Sequence, residues 1–320
     1  MKLQTQIPLA PQPETLQISY ASKVMLLGSC FSENISKKLQ YYQFQHMVNP
    51  FGILFQPKAI ETFLERVVLQ KKYSTNEFVF NNEQYHCLDA HSCLSNTNSS
   101  VLADDLNKIL QNTHQQLSHT SHLIITLGTA WTYHHIDKNT TVANCHKIPQ
   151  KAFKKHILSV EEITTSLAHI EQFLKKMNPD IQVIYTVSPV RHLKDGFIEN
   201  MQSKAHLVSA IHQLLSPRSQ SRGYYFPAYE ILMDELRDYR FYTEDMIHPN
   251  QTAIHYIWEK FQHVWLHPNT QQTMKEVATV QNGLAHRPFN PNTEQHQQFL
   301  KTLSFKKEKL LKAFPFMKLS

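Results

Sequence analysis

Two short blocks of this sequence carry residues suited to acyl chemistry. In Gly28-Ser29-Cys30-Phe31, a serine follows a short apolar run and precedes a helical pattern. A hydroxyl at such a strand-to-helix turn stands at a sheet edge, beside the backbone N–H groups of the helix start, which stabilise a developing oxyanion. The same position also suits a serine that merely caps the helix. In Asp245-Met246-Ile247-His248-Pro249-Asn250, Pro249 fits the first position of a helix and leaves His248 at its cap. Two residues separate Asp245 from His248, a spacing that brings carboxylate and imidazole together in a turn. The carboxylate would then fix the tautomer and stabilise the imidazolium formed when His248 takes a serine proton. The plain alternative is a solvated Asp beside a surface His.

Other residues offer competing chemistry. Cys30 adjoins Ser29, and a thiol at a helix N-terminus can be a nucleophile with a lowered pKa. Arg191 and His192 follow an apolar run, where a guanidinium can bind an anionic substrate group or pair with an acid such as Asp195 or Asp238. Twenty histidines raise a metal reading through His134, His135, Asp137 and His146. No HExxH or comparable spacing supports it, so neither metal nor cofactor is expected.

The elements that would position these residues can be read from periodicity. Val24 to Leu27, Leu123 to Leu127 and Ile181 to Val187 read as strands covered on both faces. Helical patterns run from Phe31 to Tyr42, Pro57 to Leu69, Val101 to Leu117, Val160 to Met177 and Glu199 to Leu215. Such alternation predicts an α/β fold with a mostly parallel sheet and ligands at the C-terminal strand ends. Glu77 to Cys93 reads as a hairpin insertion with Phe78, Phe80 and Tyr85 as its buried positions, and Trp131 to Val142 as a second. After His267 the composition turns to Asn, Gln, Thr and His. The division expected is a main domain over 1–267, then a polar linker and helical appendage over 268–320, with Leu300, Leu303, Leu310, Leu311 and Phe314 on the last helix.

With 320 residues, 41% hydrophobic and 18% charged, the chain can bury a sizeable core and is not of disordered composition. Its +6 formal charge is scattered, and no nucleic-acid-binding motif accompanies it. Four cysteines form no framework. No apolar run reaches the roughly 20 residues of a membrane span, and the N-terminus lacks a signal-peptide pattern. The expectation is a cytoplasmic protein acting on a small molecule, with no nucleic-acid partner.

Taken together, the blocks resemble a family. Gly28-Ser29-Cys30-Phe31-Ser32 is similar to the signature of the GSCFA family, bacterial proteins that resemble SGNH (GDSL-like) hydrolases. Asn49 to Phe55, Thr126 to Trp131, Asn144 to Lys147, Ser188 to His192 and Asp245 to Pro249 extend the likeness in order over roughly Gln6 to Phe261. The resemblance implies a three-layer, flavodoxin-like SGNH-hydrolase fold with small hairpin insertions. It also implies a triad of Ser29, His248 and Asp245, and an oxyanion hole formed by the N–H groups of Ser29 and Gly52. Where SGNH enzymes carry Gly-x-Asn-Asp, this chain has Gly128-Thr129-Ala130-Trp131, so a side-chain amide is missing. Thr129 and Asn144 are the candidates to replace it. The implied activity is hydrolysis of an ester, O-acyl carbohydrates included; an acyltransferase on the same fold and a catalytically silent binding module stay open.

Overall fold

The computed structural model describes residues 3–217 and 221–319. Its centre is a five-stranded parallel sheet of β1 (Lys23–Gly28), β2 (Gln45–Val48), β5 (His122–Leu127), β9 (Gln182–Val187) and β10 (Tyr224–Tyr225), in spatial order β10-β9-β5-β1-β2. Counted along the chain this is order 2-1-3-4-5, the flavodoxin-like arrangement, whose strand order reverses at β1/β5. The three strands legible as apolar runs form the middle. The two edge strands are half-buried and short, which is why no apolar run announces them.

Alternate side chains of the central strands feed two cores. Met25, Leu27, Ile125, Leu127 and Tyr185 join a cluster with α2 (Pro57–Leu69), α3 (Ser99–Leu117), α4 (Val160–Met177) and α5 (Phe197–Leu214). Val24, Leu26, Ile124 and Ile184 face the other way, against α1 (Cys30–Tyr41), α7 (Gln251–Trp265), α8 (Thr270–Ala285) and α9 (Glu294–Ala313). The result is three layers with helices on both faces.

Two insertions interrupt the parallel pattern. β3 (Val79–Asn81) and β4 (Gln84–His86) form an antiparallel hairpin. Phe78 is buried as expected, but Phe80 is 64% exposed, with a tilted ring contact to Tyr85, because Phe78 lies before the strand while within it Val79 packs on Leu88, Val142 and Phe153 and Phe80 faces the other side. The second hairpin, β6 (Trp131–His135) and β7 (Thr140–Val142), gains a third strand, β8 (Phe153–Ile157), whose Lys154, Lys155 and His156 are exposed. Those polar residues hid it from the sequence reading.

The expected linker after His267 is corrected as well. Thr270–Ala285 is helix α8, and its Met274, Val277 and Val280 share a core with Trp258 and Trp265. Only that narrow stripe is apolar, so composition masked it. Leu303, Leu310, Met317 and Leu319 join the same core. Before Ala228–Glu230 (α6) the chain leaves β10, and a π-helical turn, Ile231–Glu235, carries it toward the Asp245 loop. Among the described residues no helix is long and apolar enough to cross a membrane.

Candidate active site

Ser29 directly follows β1 and N-caps α1. Its N–H donates to Thr126 O at 3.0 Å, extending the β1–β5 ladder, while its Oγ accepts the Phe31 N–H at 3.2 Å. Gly28 makes this approach feasible: its φ is +132°, and a Cβ there would sit 2.1 Å from Thr126 O. The serine is 1% exposed, more enclosed than the open hydroxyl expected, because α1 starts at once and the neighbouring strand ends close round it.

The acid–base pair comes from the loop before α7. His248 Nδ1 lies 2.6 Å from Asp245 Oδ2, and Asp245 Oδ1 accepts the N–H groups of Ile247 (2.8 Å) and His248 (3.0 Å) and the Thr243 hydroxyl (2.6 Å). These bonds, the Thr243 hydroxyl foremost, hold the Asp245 carboxyl far below the usual carboxylate range. An ionised Asp245 requires the proton on Nδ1, which leaves Nε2 as the basic nitrogen. No hydrogen bond joins Ser29 Oγ to His248; the two are brought to one sheet edge but not into contact.

A chain of buried groups spans that edge. Lys204, on α5, is fully enclosed and donates to Gly128 O and Ser188 O, both at 2.7 Å. It thereby ties together the ends of β5 and β9. Burial pulls its ammonium down to about 7, and it is electrostatically coupled to Cys30 and to His192. His192 in turn is coupled to His248. Burial first, then the electrostatic influence of Lys204 and of His248, push the His192 imidazole down to about 3, so it is neutral near pH 7. Its Nε2 is buried with no partner and lies over Gly128, where a Cβ would come within 2.8 Å of it.

Cys30 is half-buried, and desolvation, with Glu33 adding to it, raises its thiol. That is the opposite of the activation a thiolate nucleophile needs. Arg191 holds neither of the acids considered for it, since Asp195 pairs with Lys155 and Asp238 with Arg240. Its guanidinium carbon lies 4.4 Å from the Tyr242 ring centroid and 5.1 Å from that of Tyr239. Its N–H donates to Ile247 O at 3.2 Å, and its side chain makes a long 3.5 Å contact to Met246 O. Arg191 therefore braces the loop that carries His248.

The expected oxyanion donors are differently placed. The Gly52 N–H closes a turn onto Asn49 O at 2.7 Å, and the Ser29 N–H is held by Thr126, as described. Thr129 Oγ1 lies 2.9 Å from Ser203 Oγ and accepts the Trp131 N–H, inside the α5 interface. Asn144 Oδ1 accepts the His146 N–H, in a cavity beside the β6–β7 hairpin. Sequence reasoning missed Asn49. Its Oδ1 accepts the Gly28 N–H at 2.9 Å, which sets its Nδ2, buried and unpartnered, beside the Gly28-Ser29 turn. A left-handed φ of 40° suits Asn there, so the residue type alone signals a turn. It also missed Lys204, although Asn200, Ser203, Lys204 and Leu207 share the buried face of α5. A lysine on that stripe was the available signal. The histidines weighed as metal ligands diverge: His134 reaches Asn139, His135 packs on Phe153, and His146 bonds Cys87 O.

Among solved structures, a carbohydrate esterase family 3 from Talaromyces cellulolyticus aligns at 10% identity and a TM-score of 0.36, covering 80% of this chain and 99% of that one. An acetyl esterase mutant with acetate ion aligns at 12% identity and a TM-score of 0.37, with the same coverage of each chain. No curated protein matches the chain. A family model described as GSCFA family matches residues 23–261, a span that runs from β1 through most of α7 and holds Ser29, Asn49, His192, Lys204, Asp245 and His248. A second, the GSCFA domain protein C-terminal domain, matches residues 277–320. Most of the sequence, every strand of the central sheet and the site described above fall within the first match, and the chain belongs to the GSCFA family.

Proposed function

We propose that the protein is a serine ester hydrolase. The observation that carries this reading is the 2.6 Å Asp245–His248 pair, with Nε2 left basic, at the sheet edge where Ser29 caps α1. In the reaction, Ser29 Oγ turns away from the Phe31 N–H and attacks the ester carbonyl carbon while His248 Nε2 takes its proton. The carbonyl π pair moves onto oxygen. As the tetrahedral intermediate collapses, the C–O bond to the alcohol breaks and His248 returns the proton to the leaving oxygen. Water then repeats the sequence on the acyl-serine. Catalytic hydrogen bonds of this kind often tighten only once substrate is bound.

Two unpartnered buried groups support oxyanion stabilisation without the missing amide. Asn49 Nδ2 stands on the β2 side of the serine, and His192 Nε2 overlies the end of β5 on the other side. Free thiols at Cys30, Cys87, Cys93 and Cys145 support a reducing, cytoplasmic setting. The test compares Ser29→Ala and Cys30→Ala on a short-chain ester, alongside labelling by a fluorophosphonate. Ser29→Ala should stay folded, destabilised by about 1 kcal/mol through the lost cap on the Phe31 N–H, and should lose turnover and the label, whereas Cys30→Ala keeps both. A folded Ser29→Ala protein with undiminished turnover would overturn the reading.

A further inference from the structure

A cavity of about 300 Å³ lies between the Phe55-Gln56 segment, which enters α2, and the β6–β7 hairpin. Its walls pair aromatic surface from Phe55, Trp131 and Tyr133 with neutral polar groups. Gln56 is 2% exposed, and neither its Oε1 nor its Nε2 has a hydrogen-bond partner. His146 donates from Nε2 to Cys87 O at 2.8 Å, which leaves its buried Nδ1 as an acceptor without a partner. Leaving such groups unmet costs about 1–3 kcal/mol each, so their retention points to a ligand that meets them. Acceptors and donors side by side, against flat apolar walls, match hydroxyl groups on a ring better than a bare anion or a hydrocarbon.

The charge around the cavity narrows the ligand further. Lys147 and Lys194 line it, none of the described lining residues is acidic, and neither lysine has an ion-pair partner among the described residues. Phe55 connects the cavity to the catalytic edge: its ring centroid is 5.6 Å from that of His192, and its carbonyl accepts the Gly128 N–H at 2.7 Å. The volume is at the small end of ligand sites, room for one ring rather than a chain of them.

We propose that this cavity is a subsite for a single polyhydroxylated ring of monosaccharide size, with acidic sugars preferred, which forms the alcohol portion of the ester cleaved at Ser29. The last clause rests on the hydrolase reading; the binding does not. The test is therefore direct binding to the full-length Ser29→Ala protein, by saturation-transfer NMR with methyl glucoside and methyl glucuronide. Saturable binding is expected, about tenfold tighter for the glucuronide. Gln56→Leu should weaken both at least tenfold without lowering the melting temperature, since it removes two unpartnered buried atoms. Should that variant fail to fold, the exposed Lys194→Gln serves instead, lowering glucuronide affinity and sparing glucoside. No saturable binding, or binding untouched by these changes in a folded protein, overturns the subsite; equal affinities overturn the acidic preference. Sugar binding by a wild-type protein that cleaves no ester would overturn the hydrolase reading and leave the subsite standing.

Discussion

Around His248, the bonds that orient the imidazole come from its own loop. Thr243, Asp245 and Ile247 supply them, the Thr243 N–H returns to His248 O at 2.8 Å, and the Asp245 and His248 side chains are nearly half exposed. Around Ser29, the partners come from distant segments: Thr126 from β5, Asn49 from the end of β2, and Lys204 from α5 tying the adjacent strand ends. The first region is a local, solvated device braced by Arg191, and the second is a buried junction of strands. Substitutions in the loop should thus change chemistry with little change in stability. Those at the junction should change both, because each removed group leaves a buried partner unmet.

The largest expected effect lies in the loop. Asp245→Asn should lower kcat about 10⁴-fold by favouring the wrong tautomer of His248, while the melting temperature at pH 7 falls only slightly, by the small contribution of an exposed carboxylate. The Asp245 carboxyl is held below its unfolded value of about 3.9. Its stabilising contribution is thus complete above that value and is lost as pH falls through the lower, folded one. Melts from pH 2 to 6 should show an acid-side loss in the wild type that Asp245→Asn lacks. A large loss of stability at pH 7 would mean that the loop is no more local than the junction.

Next comes the junction. Lys204→Met should destabilise by about 4 kcal/mol, since it strands two buried carbonyls. Burial depresses Lys204 to about 7, so between there and about 10.5 the unfolded chain binds the proton that the native state has released. Stability relative to Lys204→Met should rise across that window, as read from the difference in urea midpoints at pH 6, 8 and 10. A constant difference would place the ammonium in the native state throughout.

Asn49→Asp retains the acceptor for the Gly28 N–H and removes the donor. It should cut kcat about 10²- to 10³-fold with KM little changed, as steady-state kinetics on a short-chain ester would show; unchanged kcat would confine Asn49 to the turn. The smallest effect is expected at Arg191. Arg191→Ala should cost about 1 kcal/mol of stability from the lost tyrosine stacking and slow neutral and acidic esters alike, whereas a selective loss on acidic esters would make it a substrate-binding group.

The difference between the two regions also explains what was legible. Asp245 and His248 lie three residues apart, so spacing sufficed to expect their contact. Asn49 and Lys204 could not be reached that way, because the one reads as a turn residue and the other as a polar interruption in an amphipathic helix. Thr129 and Asn144 were candidates only through the likeness of blocks; the Thr129 hydroxyl is engaged with Ser203, and the Asn144 side-chain oxygen accepts the His146 N–H.

By itself the sequence determined the layers and the loop. Apolar runs of strand length, alternating with helices of period 3.6, admit few arrangements other than a parallel sheet covered on both faces, and the strand-to-helix turn at Ser29 follows from local pattern. Only the tertiary structure decided which groups surround that serine. Parallel pairing sets Thr126 beside Gly28, and crossover connections bring Asn49, Lys204 and His192 to the same edge from separate segments. Their electrostatics, above all the depressed Lys204 and His192, depend on enclosure by the whole fold, and burial is a property no local stretch of sequence possesses.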